Sequence, residues 1–253
     1  MELIAHRGAS FDAPENSLEA FDLAIEQGAT RLELDIQLTR DGHPVVNHDD
    51  STERTGDRAL TIAYSTLDEV REIRLANGEP IPTFEELCAH VAGRAELDVE
   101  LKATDPRVAE GILNTMRRYD LLDRGLISSF DPDVLLLTRK LGFQGRTGLV
   151  VGSLSRSPMQ RAYEAWPFKA WHYAQATDLI IHHRLYHPFL RRYLQSKEGN
   201  LLFWMSMDDE SKDPMKRAAW YQRIASIAPE GVILARCAEA LPILNASEAR
   251  KTG

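Results

Sequence analysis

The chain has 253 residues, 43% of them hydrophobic and 27% charged, which is enough apolar content for a sizeable folded core. Its net charge of −8 argues against a general nucleic-acid or anionic-membrane surface, although one local positive group can still hold a phosphate. Only two cysteines occur, Cys88 and Cys237, both in apolar contexts; with no signal-peptide pattern and no apolar stretch of membrane length, the expected location is cytoplasmic.

In chain order, Leu3–His6 is the first predicted strand, and it runs straight into His6-Arg7-Gly8. Pro14, Asn16 and Ser17 are start signals for an amphipathic helix over Ser17–Gln27, with Leu18, Phe21, Ala24 and Ile25 on one face and Gly28 ending it. Arg31–Ile36 is the next strand. Val45–His48 also reads as a strand, but only about eight residues separate it from Ile36, too few for a parallel crossover, and Asp41-Gly42 lies between them. Residues 36–48 are therefore expected to form a hairpin that returns His48 beside Asp35. Residues 51–82 are irregular and are expected to be an excursion over that end of the fold. Further strands are predicted at Leu97–Leu101, Leu126–Ser129, Thr147–Val151, Asp178–Ile181, Leu201–Ser206 and Gly231–Ala235, with helices near 105–119, 132–141, 158–165, 186–196 and 212–226. Setting the hairpin arm aside leaves eight strands alternating with helices, which matches a closed (β/α)8 barrel. The whole chain, 1–253, is expected to be one such domain.

Side chains alternate across a strand. In Arg31-Leu32-Glu33-Leu34-Asp35-Ile36 and in Leu97-Asp98-Val99-Glu100-Leu101-Lys102 the apolar residues take one face, toward the helices, and the charges the other, toward the barrel interior. Glu33, Asp35 and Glu100 then converge. Packed carboxylates repel one another, and a hard divalent cation such as Mg²⁺ or Ca²⁺, with Mn²⁺ as a third candidate, relieves that repulsion through oxygen ligands. The competing reading is a set of buried ion pairs with Arg7, Arg31 and Lys102. His6 and His48, on separate elements that meet, read as an acid/base pair. The Arg7 fork and the Lys102 ammonium suit a phosphate. Asp98, deeper on its face, reads as a structural hydrogen-bonding partner. Trp204 falls near the mouth. His182, His183, Arg184, His187, Arg191 and Arg192 read as a solvated basic face. No Gly-rich nucleotide loop and no Cys-based zinc spacing is present.

These residues carry a family resemblance. His6-Arg7-Gly8, Pro14-Glu15-Asn16-Ser17, Glu33-Leu34-Asp35, the Thr39-Arg40-Asp41-Gly42 turn, Val45 through Asp49, Arg54-Thr55, Ile81-Pro82-Thr83, Glu100-Leu101-Lys102 and Ser128-Ser129-Phe130 occur in the order found in the glycerophosphodiester phosphodiesterase family, which the chain resembles closely over roughly its first 145 residues. The resemblance implies a TIM barrel and metal-dependent hydrolysis of glycerophosphodiesters to glycerol 3-phosphate and an alcohol. It implies His6 and His48 as the acid/base pair, Glu33, Asp35 and Glu100 as metal ligands, and Arg7 and Lys102 as phosphate ligands. The nucleophile it implies is a neighbouring glycerol hydroxyl; water is the alternative, and which histidine is the base stays open. The C-terminal third departs from the family pattern at Trp204-Met205-Ser206-Met207 and at Ala235-Arg236, the region of the alcohol or glycerol pocket. Two other readings are a phospholipase D-like enzyme acting on lysophospholipids or sphingolipids and a non-catalytic phosphodiester-binding protein. The expected partner is a small-molecule phosphodiester, with no nucleic acid and no transmembrane segment; a homo-oligomer is compatible with the sequence.

Overall fold

A computed structural model describes residues 1–102, 105–152, 166–210 and 213–249. Eight parallel strands, β1 (Glu2–His6), β2 (Arg31–Leu38), β4 (Glu96–Leu101), β5 (Leu126–Ser129), β6 (Arg146–Val151), β7 (Asp178–His182), β8 (Asn200–Trp204) and β9 (Gly231–Leu234), close on themselves through the β1–β2 and β1–β9 pairings. This is a (β/α)8 barrel. The ninth strand, β3 (Pro44–Val46), lies outside the ring and pairs antiparallel with β2, Ile36 opposite Val46 and Leu38 opposite Pro44. The hairpin expected over 36–48 is therefore present, and His48 lies just past the strand rather than within it.

The predicted helices are found at Leu18–Glu26, Pro106–Arg118, Pro132–Lys140, Pro188–Gln195 and Pro214–Ile227, while the helix predicted over 158–165 lies outside the described residues. Three of these begin with an Asp cap followed by Pro, a residue whose missing N–H costs nothing in the first turn. The excursion contains the helix Leu67–Arg71 and is followed by an unassigned helix, Phe84–Val91. Both carry a capping box, Thr66 with Glu69 and Thr83 with Glu86, a signal present in the sequence. Val45, Ile62, Val70, Ile73, Leu75 and Ile81 give the excursion its own small apolar core, which makes it a packed buttress beside the mouth. Short helices at Phe168–Tyr173 and Met207–Glu210, a longer one at Cys237–Ala249 and the 3₁₀ turns Ile62–Tyr64 and His183–Leu185 complete the described elements.

The strand faces that meet the helices form the large core, while Ile4, Leu126, Val150, Ile180, Leu202 and Ile233 pack inside the barrel. The N-terminal end is closed by charge. Arg31 donates to Glu2 and Glu96, Arg146 pairs with Glu2 and Asp178, and Asn200 donates to Asp178. Each of these residues opens its strand. Arg31 is thus committed at the opposite end from the mouth, which removes it as a counterion for Glu33, Asp35 and Glu100.

Candidate active site

The turn after β1 positions the first functional groups. Arg7 adopts φ 58° and Gly8 φ 82°, a left-handed pair that folds the chain back over the strand end. Gly8 is required on two counts, since a Cβ there would also stand 2.7 Å from the Ala20 carbonyl carbon. The folded-back backbone lets Arg7 N–H donate to the Glu33 carboxylate at 3.0 Å. The Arg7 guanidinium meets Glu15 Oε1 at 3.1 Å and Asp35 Oδ2 at 3.3 Å. His6, 8% exposed, has Nε2 4.0 Å from Glu33 Oε2.

Register brings the carboxylates together. Asp35 pairs with Glu100 and Glu33 with Asp98 across β2 and β4. One oxygen from each of Glu33, Asp35 and Glu100 lies within 4.8 Å of the other two. Burial, reinforced by the charge on Asp35, pushes Glu100 up to about 8 and raises Glu33 well above the ordinary carboxylate range. Burial acts the same way on Asp35, but Lys102 and Arg7 outweigh it and hold that carboxyl well below its usual range. Three closely packed carboxyls, Glu33 and Asp35 buried and Glu100 half-buried, cannot all ionise comfortably and offer oxygen as their only donor type, which fits a hard divalent cation. Asp98 does not join them: it accepts from Ser128 Oγ at 2.6 Å, and burial pushes it up to about 7.

His48 is delivered by the hairpin arm and fixed by its neighbours. Its carbonyl accepts from Lys102 Nζ at 2.6 Å and from Gln37 Nε2 at 3.1 Å, and its Nδ1 meets Asp49 Oδ1 at 2.6 Å. Nε2 is the nitrogen left for the cavity. Burial lowers the pKa of both histidines, most for His6, where the Arg7 charge adds to it; for His48 the Asp35 charge opposes part of the shift. Lys102 also reaches Asp35 Oδ1 at 3.0 Å.

These groups meet in a cavity of about 440 Å³ whose polar wall includes His6, Arg7, Glu33, His48 and Glu100. The opposite wall is apolar, made by Phe130, Val150, Ile180, Trp204 and Ile233. Trp204 is anchored there by its Nε1–H on the Val151 carbonyl at 2.9 Å. All seven residues expected from the sequence gather at the C-terminal mouth, with Asp35 and Lys102 standing behind the lining. The sequence reading gave no role to Glu15, Asp49 or Arg54. Arg54 holds Glu15 through both terminal nitrogens, 2.5 and 2.7 Å, and Asp49 through Nε at 2.7 Å, so an ionic chain runs from Arg7 to His48. Its sequence signal was the place of Glu15, Asp49 and Arg54 within the ordered family motifs, close in sequence to His6 and His48. The supposed basic face at 182–192 is corrected in part: His182 and His183 are 2% and 3% exposed, because β7 runs one residue further than expected and turns inward.

Two imidazoles, clustered carboxylates and a guanidinium at the C-terminal mouth of a closed barrel define an α/β-barrel enzyme. The model of the glycerophosphoryl diester phosphodiesterase family matches residues 6–233, and the chain belongs to that family, whose members are phosphoric diester hydrolases. A glycerophosphodiester phosphodiesterase of Caldanaerobacter subterraneus subsp. tengcongensis is 30% identical over 228 residues, covering 85% of this chain and 88% of that protein. Two solved structures share the fold. The Agrobacterium tumefaciens glycerophosphodiester phosphodiesterase is 21% identical, with a TM-score of 0.76 over 95% of this chain and 98% of that one. An Oleispira antarctica phosphodiesterase in complex with the product sn-glycerol-3-phosphate is 22% identical, with a TM-score of 0.78 over 97% of each chain.

Proposed function

We propose that this chain, as one catalytic domain, hydrolyses glycerophosphodiesters to glycerol 3-phosphate and an alcohol. Glu33, Asp35 and Glu100 would hold one divalent cation, Mg²⁺ or Ca²⁺ with Mn²⁺ as a third candidate, and His6 and His48 would act as the acid/base pair. The observation that carries this reading is the convergence of three carboxylate oxygens within 4.8 Å of one another at a cavity that also presents two imidazoles and an arginine fork. A cation bound there would supply Lewis-acid polarisation of a phosphoryl oxygen and cancel part of its charge.

The remaining roles belong to the protein. Arg7, braced by Glu15 and Asp35, presents its fork to the phosphate and stabilises charge growing on its oxygens. The flexible stem of Lys102 lets its ammonium turn from Asp35 toward the same phosphate. One imidazole takes the proton of the attacking hydroxyl, the P–O bond to the alcohol breaks, and the other imidazole returns a proton to the departing oxygen. Asp49, on Nδ1 of His48, fixes that ring's orientation and tautomer. With a neighbouring glycerol hydroxyl as nucleophile, the first product is a cyclic phosphate, and water must then attack its phosphorus and break the ring P–O bond to give glycerol 3-phosphate; with water as the first nucleophile, glycerol 3-phosphate forms directly. The test is release of glycerol 3-phosphate from glycerophosphocholine with Mg²⁺, Ca²⁺ or Mn²⁺ present, and its loss on chelation. Release that survives complete chelation removes the cation from the proposal.

The apolar wall of Phe130, Val150, Ile180, Trp204 and Ile233 favours a second reading, a phospholipase D-like enzyme acting on lysophospholipids or sphingolipids, in which the group that keeps the phosphate carries a hydrophobic chain. Faster turnover of lysophosphatidylcholine than of glycerophosphocholine would select it. Cys88 and Cys237 are buried free thiols, which supports a reducing compartment, and the cytoplasm is the proposed location.

A further inference from the structure

A second convergence of ligand atoms lies behind the cavity's apolar wall, and the proposed reaction does not use it. His182 ends β7, His183 follows in a tight 3₁₀ turn, and Asp209 lies in the short helix Met207–Glu210 after β8. Asp209 Oδ2 is 3.2 Å from His182 Nε2 and 3.0 Å from His183 Nε2. The three side chains are between 1% and 5% exposed, and the three donor atoms lie within 4.8 Å of one another. Donors around a tetrahedral ion with bonds of about 2.0–2.1 Å stand roughly 3.3 Å apart, which the two Asp209–imidazole separations match. Asp209 Oδ1 is held by the Arg184 guanidinium, which turns the other oxygen toward the imidazoles. Gly152, at φ +108°, makes room for the cluster: a Cβ there would lie 2.4 Å from His182 Cβ.

We propose that His182, His183 and Asp209 form a binding site for a borderline transition-metal dication, Zn²⁺ in the first instance, separate from Glu33, Asp35 and Glu100. Two imidazoles and one carboxylate suit Zn²⁺, whereas an all-oxygen set suits Mg²⁺ or Ca²⁺. A water ligand would complete a four-coordinate set. The site has a structural consequence. The His182 ring packs edge-on to Trp204 at 4.6 Å between centroids, and Ser206, Met207 and Asp208, just before Asp209, line the catalytic cavity. An ion here clamps the end of β7 to the stretch that forms one side of the cavity. Loading has a competitor within the fold: Arg184 N–H points at His182 Nδ1 at 3.4 Å and favours the tautomer with its proton on Nε2. On loading, that proton moves to Nδ1, so affinity is below that of a fully preset site.

The test strips the protein with chelator, restores excess Mg²⁺ to occupy the three-carboxylate site, and titrates first Co²⁺ and then Zn²⁺. The expected result is about one equivalent of Co²⁺ with the visible absorption of a four-coordinate site, displaced by Zn²⁺. Free Zn²⁺ at roughly 100 times Kd should also raise the melting temperature by about 5–10 °C. Both signals should persist in Glu100→Gln and weaken by about 100-fold or more in Asp209→Asn and in His183→Gln. Absence of both signals in the wild-type chain overturns the proposal, a result that stands even if neither variant folds. So does their persistence in either folded variant; the cluster is then a hydrogen-bonded contact only.

Discussion

At the residue scale, the proposed proton transfers rest on His6 and His48, which face the same cavity. His6→Ala and His48→Ala should each lower kcat by about two to four decades while leaving far-ultraviolet circular dichroism and thermal unfolding near wild type. An active variant of either kind would sink that residue's role. Asp49, on His48 Nδ1, would act as a positioning residue, and its effect has a sign. Its carboxylate raises the pKa of His48, opposing burial. In Asp49→Asn the limb of the pH–rate profile that reports His48 should therefore move to lower pH, with kcat down by about one to two decades. A drop in kcat with an unmoved limb would mean that Asp49 acts only by packing. Glu15, Asp49 and Arg54 were unassigned because their importance is relational. Each is an ordinary surface-type residue in sequence and acquires a role only where a 39-residue loop closure puts Arg54 on Glu15.

At the element scale, the β1 turn and the β2–β3 hairpin decide whether the site exists. Gly8 combines φ 82° with no room for a Cβ, so Gly8→Ala should cost roughly 2–3 kcal/mol in chemical denaturation and displace Arg7 as well. A change under about 0.5 kcal/mol would show that the turn relaxes freely. The hairpin was legible from spacing alone: about eight residues cannot make a parallel crossover, so the second arm had to return antiparallel. The helix at Phe84–Val91 was equally available from the Thr83 and Glu86 capping box, and it went unassigned because the excursion before it has no clean periodicity. His182 and His183 were misread for the opposite reason. A cluster of His and Arg looks solvated by composition, but strand parity carries His182 inward and the tight turn carries His183 after it.

At the scale of the whole molecule, the barrel's two ends divide the charged residues between two uses. At the N-terminal end Arg31 bridges Glu2 and Glu96 while Arg146 bridges Glu2 and Asp178, so every one of these carboxylates meets a guanidinium. At the mouth Glu33 and Glu100 lack such compensation, and their pKa values rise, to about 8 for Glu100. A raised carboxyl keeps a proton that the unfolded chain releases, so this end's contribution to stability falls as pH climbs from about 4.5 to about 8. A cation needs the ionised carboxylates and must displace those protons below about pH 8. Mg²⁺ should therefore raise the melting temperature more at pH 8.5 than at pH 6. An equal shift at both values would show that these carboxyls are not its ligands.

The barrel, the hairpin and the seven mouth residues can be read from the chain alone, because alternating polarity and strand-end position are local properties. Which charges answer one another depends on the folded arrangement. Arg31 and Glu33 share one strand face yet serve opposite ends, and Asp209 meets His182 across 26 intervening residues. The reason is physical: alternation fixes which side a residue faces, whereas strand register and the shear of the closed barrel fix its height, and a charge's partner depends on both.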